Sequence, residues 1–308
     1  MISSSQLRLF RSFVPINGTL VSSFPSSTGK IGPYAHCISV VRQFDMEGFL
    51  CASFMRRNVK PAIFSILAFN AELSRIPSIS SNNTTVNGRF DFWKDIVHSA
   101  YEGEHWQVPI AQALSDTILK YNLSKKWLLD LVEARRIWCQ SNVYKSFATM
   151  EDYFAKTFVT VIYLILQIYR IEGVHTDHVA NHIGKAVGFA NTLRSIGLYG
   201  DKAGYIIPVE LLNRYKLTAE HFKPEHANEI AVVVEHMAEH AAAHLERARS
   251  FKEKVPRKAA NAFLFSAIAD NTLRLLRQCS YNPFDPLLQQ RSGRLIIGIL
   301  KHRLLGTY

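Results

Sequence analysis

The 308-residue sequence predicts an all-α protein, and three observations carry that reading. Beyond Pro33, long stretches free of proline and glycine place apolar residues at helical spacing. No alternation of apolar and polar residues persists long enough to argue for a sheet. With 48% of residues apolar and only 20% charged, the chain can bury a continuous core and carries too little charge for a disordered or coiled-coil protein.

Breaker residues divide the chain into predicted helices at about 34–55, 61–75, 90–102, 109–121, 125–140, 150–171, 176–196, 226–252, 257–279 and 294–305. Ser124 and Thr149 are N-cap candidates, because a short hydroxyl side chain accepts from the unpaired amides of a first turn. Glu151 and Asp152 then set negative charge at the positive end of their helix. The most apolar run, FVTVIYLILQIY at 158–169, is bounded by Lys156 and Arg170. It falls short of the roughly 18 residues that a membrane span needs, so it reads as a helix buried on most sides, and any membrane association as peripheral. The stretch SISSNNTTVNG at 78–88 reads as a low-complexity loop. In the last helix, RLIIGILKHRLL, an apolar face stands against Arg294, Lys301 and His302. That pattern suits a core helix with a basic rim, or a helix resting on an anionic membrane. Residues 33–308 are read as one helical domain.

The first thirty residues hold Arg8, Arg11 and Lys30 and no carboxylate, the first of which is Asp45. Serines crowd this stretch, and Leu7, Leu9, Phe10 and Phe13 punctuate the basic residues. That composition predicts a mitochondrial transit peptide over 1–32. A negative-inside potential draws such a segment inward with about 2.3 kcal/mol per charge per 100 mV. Pro15, Asn17 and Gly18 interrupt any apolar stretch of the kind a secretory signal needs.

The formal charge is +11, but lysine and arginine are scattered rather than massed in a run or stripe, which argues against nucleic-acid binding. Cys37, Cys51, Cys139 and Cys279 lie far apart and fit buried free thiols better than a zinc site or a disulfide framework. Asp91 and Asp95, one helical turn apart, could share a magnesium ion, but as an isolated pair they read as a solvated face. His236, His240 and His244 recur every fourth residue, as do His178 and His182. Without the H-E-x-x-H pattern they read as polar faces of packed helices rather than metal ligands. Phosphate-binding glycine loops and nucleophile elbows are absent from the sequence. No metal or other cofactor is expected.

The strings PAIFSILAFNAELSR at 61–75 and HIGKAVGFANTLRSIGLYGDKAGYIIP at 182–208 resemble the squalene/phytoene synthase family, as does the placement of Tyr153 and Thr157. The resemblance runs from about residue 34 to 279 and implies an isoprenoid-synthase-like helical bundle with a central apolar cavity. It also implies two aspartate-rich boxes facing each other across that cavity to bind magnesium and the substrate diphosphates. This chain departs at both boxes. Asn70 and Glu72 stand near the first, but Ser74 and Arg75 replace its acidic residues. In the second, Asn191 and Arg194 match while Ser195 and Tyr199 stand for aspartates. Losing ~5 kcal/mol of metal stabilisation costs between a thousand- and ten-thousand-fold in rate. The expectation is therefore no catalytic residues and no bound metal.

The segments AFNAEL, HIGKA, ARSF (248–251) and FDPLLQQ (284–290) are similar to those of the family's mitochondrial branch. That likeness implies a non-catalytic helper in assembling respiratory complex I, the NADH:ubiquinone oxidoreductase. It would work early, on membrane-arm subunits or intermediates, at the matrix side of the inner membrane. An alternative stays open at this point: a binding protein for isoprenoid or lipid phosphates, or a residual prenyl-transferring enzyme, holding the headgroup with Arg75, Arg135, Arg136 and Arg194.

Overall fold

Helix follows helix from Pro33 onward in the computed structural model, which describes residues 32–308 apart from 81, 105, 142, 291 and 292. The segment read as a transit peptide, save its last residue, lies outside the described residues. No strand occurs among the described residues.

The predicted helix 34–55 is in fact two, α1 (Pro33–Phe44) and α2 (Met46–Ser53). Asp45 breaks them apart: its backbone leaves the helical region at φ −143° and ψ 70°, and its carboxylate accepts the Gly48 amide at 2.9 Å to cap α2. Helix α3 (Lys60–Ile79) outruns its predicted end by carrying Pro77 in its last turns. Helix α4 (Asn83–Glu102) begins well before residue 90 because the Asn82 side chain accepts the Thr84 amide at 2.8 Å. Most of the stretch expected to be a loop, 78–79 at the end of α3 and 83–88 at the start of α4, is therefore helical. Helix α5 (Pro109–Tyr121) matches its prediction, and Asn122, at φ 51°, closes it. Ser124 heads α6 (Lys125–Ser141), with its hydroxyl 3.5 Å from the Trp127 amide.

The expected cap at Thr149 is corrected by the structure. Ser146 caps α7 (Phe147–Phe154), and Thr149, in the first turn, completes a reciprocal capping box. The chain then widens into a π turn (Ala155–Val159), in which Thr160 donates to the Ala155 carbonyl at 3.0 Å, before α8 (Thr160–Ile168). Helix α9 (Val174–Tyr199) is the longest, and a short 3₁₀ stretch (Gly200–Ile206) leads from it into α10 (Val209–Arg214), which the sequence pattern did not disclose. Helices α11 (Ala227–Arg249), α12 (Ser266–Gln278) and α13 (Gly293–Leu305) complete the fold; residues 257–261, read as the start of α12, form a 3₁₀ turn instead.

Helices α1, α3 and α5 pack on one another, with α4 and α6 beside them, while α9 packs along α11 and against α12. The π turn and α8 bridge the two groups, touching α3, α6 and α9. This explains why 158–169 is apolar nearly all round: Val161, Leu164, Ile165 and Ile168 share one buried face, and Ile162 and Leu166, about a third of a turn away, are buried as well. Close approach here requires glycine. A Cβ at Gly184 would lie 2.6 Å from Val159 Cα, and one at Gly188 would lie 2.5 Å from the Phe154 ring. Both halves feed one continuous apolar cluster. No helix among the described residues is long and apolar enough to cross a membrane. The four cysteines are free, and burial pushes the thiols of Cys37 and Cys139 up to about 12.

In α13 the expected basic rim needs one correction. Arg294 and Lys301 are exposed, but His302 is buried, bonded to Asp270 at 3.1 Å and to Thr307 at 3.2 Å.

Candidate functional site

A cavity of about 70 Å³ lies where α3 and α9 converge on the α1–α2 junction. Its walls are apolar, with Leu67, Phe158, Ile162, Val187 and Ile268 among them, and its polar end carries Asp45, Glu47, Asn70 and Asn191. The π turn sets Phe158 into this wall, which explains the local departure from α-helical spacing. The central apolar cavity is thus present, but it is far below the roughly 300–1,000 Å³ of sites that enclose a drug-sized ligand.

The residues at the two box positions are brought to this region and spend their polar groups on the protein. Asn70 accepts from Arg135 of α6 at 2.6 Å. Arg135 is buried and also donates to the Leu131 carbonyl at 3.3 Å; burial lowers its pKa. Glu72 and Arg75 pair at 2.7 Å along α3, and the Arg75 guanidinium lies 3.4 Å from the centre of the Phe44 ring. The Ser74 hydroxyl turns back to the Ala71 carbonyl at 2.8 Å. On α9, Asn191 lines the cavity, Ser195 donates to the Asn191 carbonyl at 2.7 Å, and Arg194 forms an ion pair with Glu47 of α2. Burial, and then the neighbouring Tyr153, raise the pKa of Tyr199 at the end of the helix. Of the four arginines considered for a headgroup, Arg136 points elsewhere, donating to Asp91 at 2.6 Å. Asp91 and Asp95 are both on an exposed face, as expected.

Two cavity carboxylates, Asp45 and Glu47, escaped the sequence reading. Burial pushes Asp45 up to about 6, the Gly48 amide opposing it, while Arg194 neutralises Glu47. The only clue in the sequence was the α2 cap itself, an acidic residue placed just before a helical run. Gln289 of the FDPLLQQ segment donates to the Arg194 carbonyl at 3.1 Å, so that segment backs the same turn of α9.

The histidine stripes meet on the opposite stretch of α9. His182 and His244 stand Nδ1 to Nδ1 at 2.8 Å, and His244 Nε2 is 3.3 Å from Glu151, which also accepts from Lys185 at 2.7 Å. The bond from His244, foremost, and the Lys185 charge hold the Glu151 carboxyl down at about 2. Burial, then the neighbouring His244, lowers His182 to about 4. Further along, His240 stacks on Phe147 with ring centres 4.0 Å apart, and His236 shares a 2.8 Å hydrogen bond with Tyr215. These are polar faces of packed helices. Among the described residues, no group of three or more His, Cys, Asp or Glu side chains is arranged to hold a metal ion.

Comparison with known proteins places this geometry in a family. The chain is 30% identical over 284 residues to human "NADH dehydrogenase (ubiquinone) complex I, assembly factor 6", a match covering 92% of this chain and 85% of that protein. The bovine protein of the same name is also 30% identical, over 89% of this chain and 83% of its own length. In three dimensions the fold is similar to squalene synthase HpnC from Alicyclobacillus acidocaldarius, with a TM-score of 0.70 at 20% identity, over 82% of this chain and 95% of that one. The squalene/phytoene synthase model matches residues 41–295, most of the folded chain. The protein belongs to the squalene/phytoene synthase family.

Proposed function

We propose that this chain is a non-catalytic assembly factor for respiratory complex I. In this reading residues 1–32 direct import into mitochondria and are removed, and residues 33–308 act at the matrix side of the inner membrane, early, on membrane-arm subunits or intermediates. The observation that carries the non-catalytic part is the state of the cavity. At about 70 Å³ it has no room for a prenyl chain, and its polar end is occupied by the protein's own contacts, Glu47 with Arg194 and Asn70 with Arg135. Ser74, Arg75, Ser195 and Tyr199 supply none of the carboxylates that diphosphate chemistry of this family would need at those positions. The same internal contacts argue against the lipid-phosphate alternative, since Arg75, Arg135, Arg136 and Arg194 each already have a partner. The direction toward complex I is supported by the two relatives of that name and by the composition of the amino-terminal segment.

The test is recovery of the tagged chain from its own mitochondria under mild detergent. Membrane-arm subunits or partial assemblies of complex I should be enriched with it, and absent from a control bait. Recovery with none of them, from organelles actively building the complex, would overturn the reading.

A further inference from the structure

Helix α13 is apolar on two faces, and only one of them is used. Leu295 and Ile299 face the protein and are buried together with His302. Ile297, Leu300 and Leu304 follow at i, i+3 and i+7 on the opposite side, left open to different degrees by the described residues: Ile297 is 66% exposed and Leu304 81%, with Leu300 at the margin at 37%. Beside this stripe runs a groove of about 810 Å³ between α12 and α13, in which Lys252, Arg274, Arg294 and Lys301 line the walls and Asp270 is the one acidic side chain among the described residues. Asp270 is already engaged by Arg249 at 2.6 Å and by His302 at 3.1 Å, so it offsets little of that charge. Arg274 donates to Gln278 at 2.7 Å and to Asn271 at 2.9 Å, uncharged partners that leave its charge uncompensated, and burial, then the charge of Arg294, lower its pKa.

We propose that α13 and the groove beside it form the docking surface for a bilayer carrying anionic phospholipid, with Ile297, Leu300 and Leu304 entering the acyl boundary and Arg274, Arg294 and Lys301 meeting the phosphates. The proposal rests on the membrane-side reading above and assigns it a surface. Charge complementarity selects an anionic partner, and the shape of the patch selects a bilayer over an acidic peptide. A peptide seated in the groove would cover Ile297 and Leu305, which line it, and leave Leu304 in water. A flat apolar boundary covers all of them at once, with the cations at headgroup level. Long basic side chains suit that level because their stems lie along apolar surface while the charge stays wet.

Sedimentation of the purified full chain with vesicles tests this, using phosphatidylcholine alone and phosphatidylcholine mixed with phosphatidylglycerol. Three proteins are compared: the natural chain, Arg294→Glu with Lys301→Glu, and Ile297→Ser with Leu304→Ser. The altered side chains are exposed, and thermal denaturation confirms that each variant folds. Arg8 and Arg11 are common to all three, so differences among them report on α13. The natural chain should bind the mixed vesicles at least tenfold more tightly than the neutral ones. Charge reversal should weaken that binding more than tenfold, and the serine variant should leave only binding that high salt removes. Inorganic phosphate at millimolar concentration should not compete.

Equal binding by all three proteins, or no preference for the anionic vesicles, would overturn the proposal. So would loss of vesicle binding to free phosphate, or capture of polyglutamate in preference to vesicles, which would make the groove an anion or acidic-peptide site. None of these readouts involves complex I, so the docking surface can fail while the assembly role stands, and the reverse.

Discussion

His182 of α9 and His244 of α11 face each other Nδ1 to Nδ1 at 2.8 Å, so one ring donates and the other accepts. Glu151 holds the far side of His244 at 3.3 Å and is itself held by Lys185. Helices α7, α9 and α11 are thereby tied through a polar chain at a place where their neighbours are largely apolar.

Acid should loosen this tie in two stages. His182 takes a proton in the folded protein only near pH 4, whereas in the unfolded chain it does so near 6.5. Its contribution is therefore complete above pH 6.5 and is lost as pH falls from 6.5 to 4. Glu151, at about 2 when folded, contributes fully above its ordinary value of 4.5 and loses that contribution only below it. Denaturant titrations at pH 7 and pH 5 should show wild-type stability dropping, and His182→Gln, which cannot titrate, should show a smaller drop. An equal drop in both proteins would refute the assignment.

Asp45 should behave in the opposite sense. Its folded value of about 6 lies above the ordinary 3.8, so its ionised form is disfavoured by folding, and wild-type stability declines as pH rises from 3.8 through 6. Asparagine caps a helix about as well as aspartate. Asp45→Asn should therefore raise stability by on the order of 1–2 kcal/mol at pH 8 and change it little at pH 3.5. Destabilisation at pH 8 would show instead that the carboxylate is needed as a charge.

Two glycine substitutions should move stability in opposite directions. Gly184→Ala forces a methyl against the Val159 backbone and should cost about 1–3 kcal/mol. Gly88→Ala, exposed within α4 with nothing within 4 Å of its added carbon, should gain about 0.5–1 kcal/mol. Melting temperatures check both. A neutral Gly184→Ala would mean that α9 and the π turn are not packed as described.

The purified chain, supplied with prenyl diphosphates, magnesium and reductant, should release no diphosphate above a protein-free control. Ser74→Asp and Ser195→Asp should gain no activity, because a single carboxylate does not rebuild a two-sided metal site. Saturable release by the natural chain would restore the enzymatic reading.

The helical class was legible because long apolar runs at helical spacing dominate after Pro33, and α5 was legible to the residue because Pro109 opens it and Asn122 closes it. What escaped lies where local signals conflict with tertiary ones. The α1–α2 break depends on one capping aspartate inside an unbroken apolar pattern, and α4 grows backward through a polar stretch because Asn82 caps it. The π turn rests on i,i+5 bonding that no spacing rule distinguishes from a normal helix. At the site, the sequence pointed to Asn70, Asn191 and Arg194 through resemblance. It could not disclose Glu47, whose role arises only when α2 is folded against α9.

The central claim, that this member of the family serves complex I assembly rather than synthesis, is tested most directly by removing the protein from its own cells. Respiratory complexes are then resolved on native gels, before and after re-expression of the chain. The account predicts a selective fall in complex I and in its early membrane-arm intermediates, with the other complexes largely spared and levels restored by re-expression. Normal complex I after complete removal would contradict it.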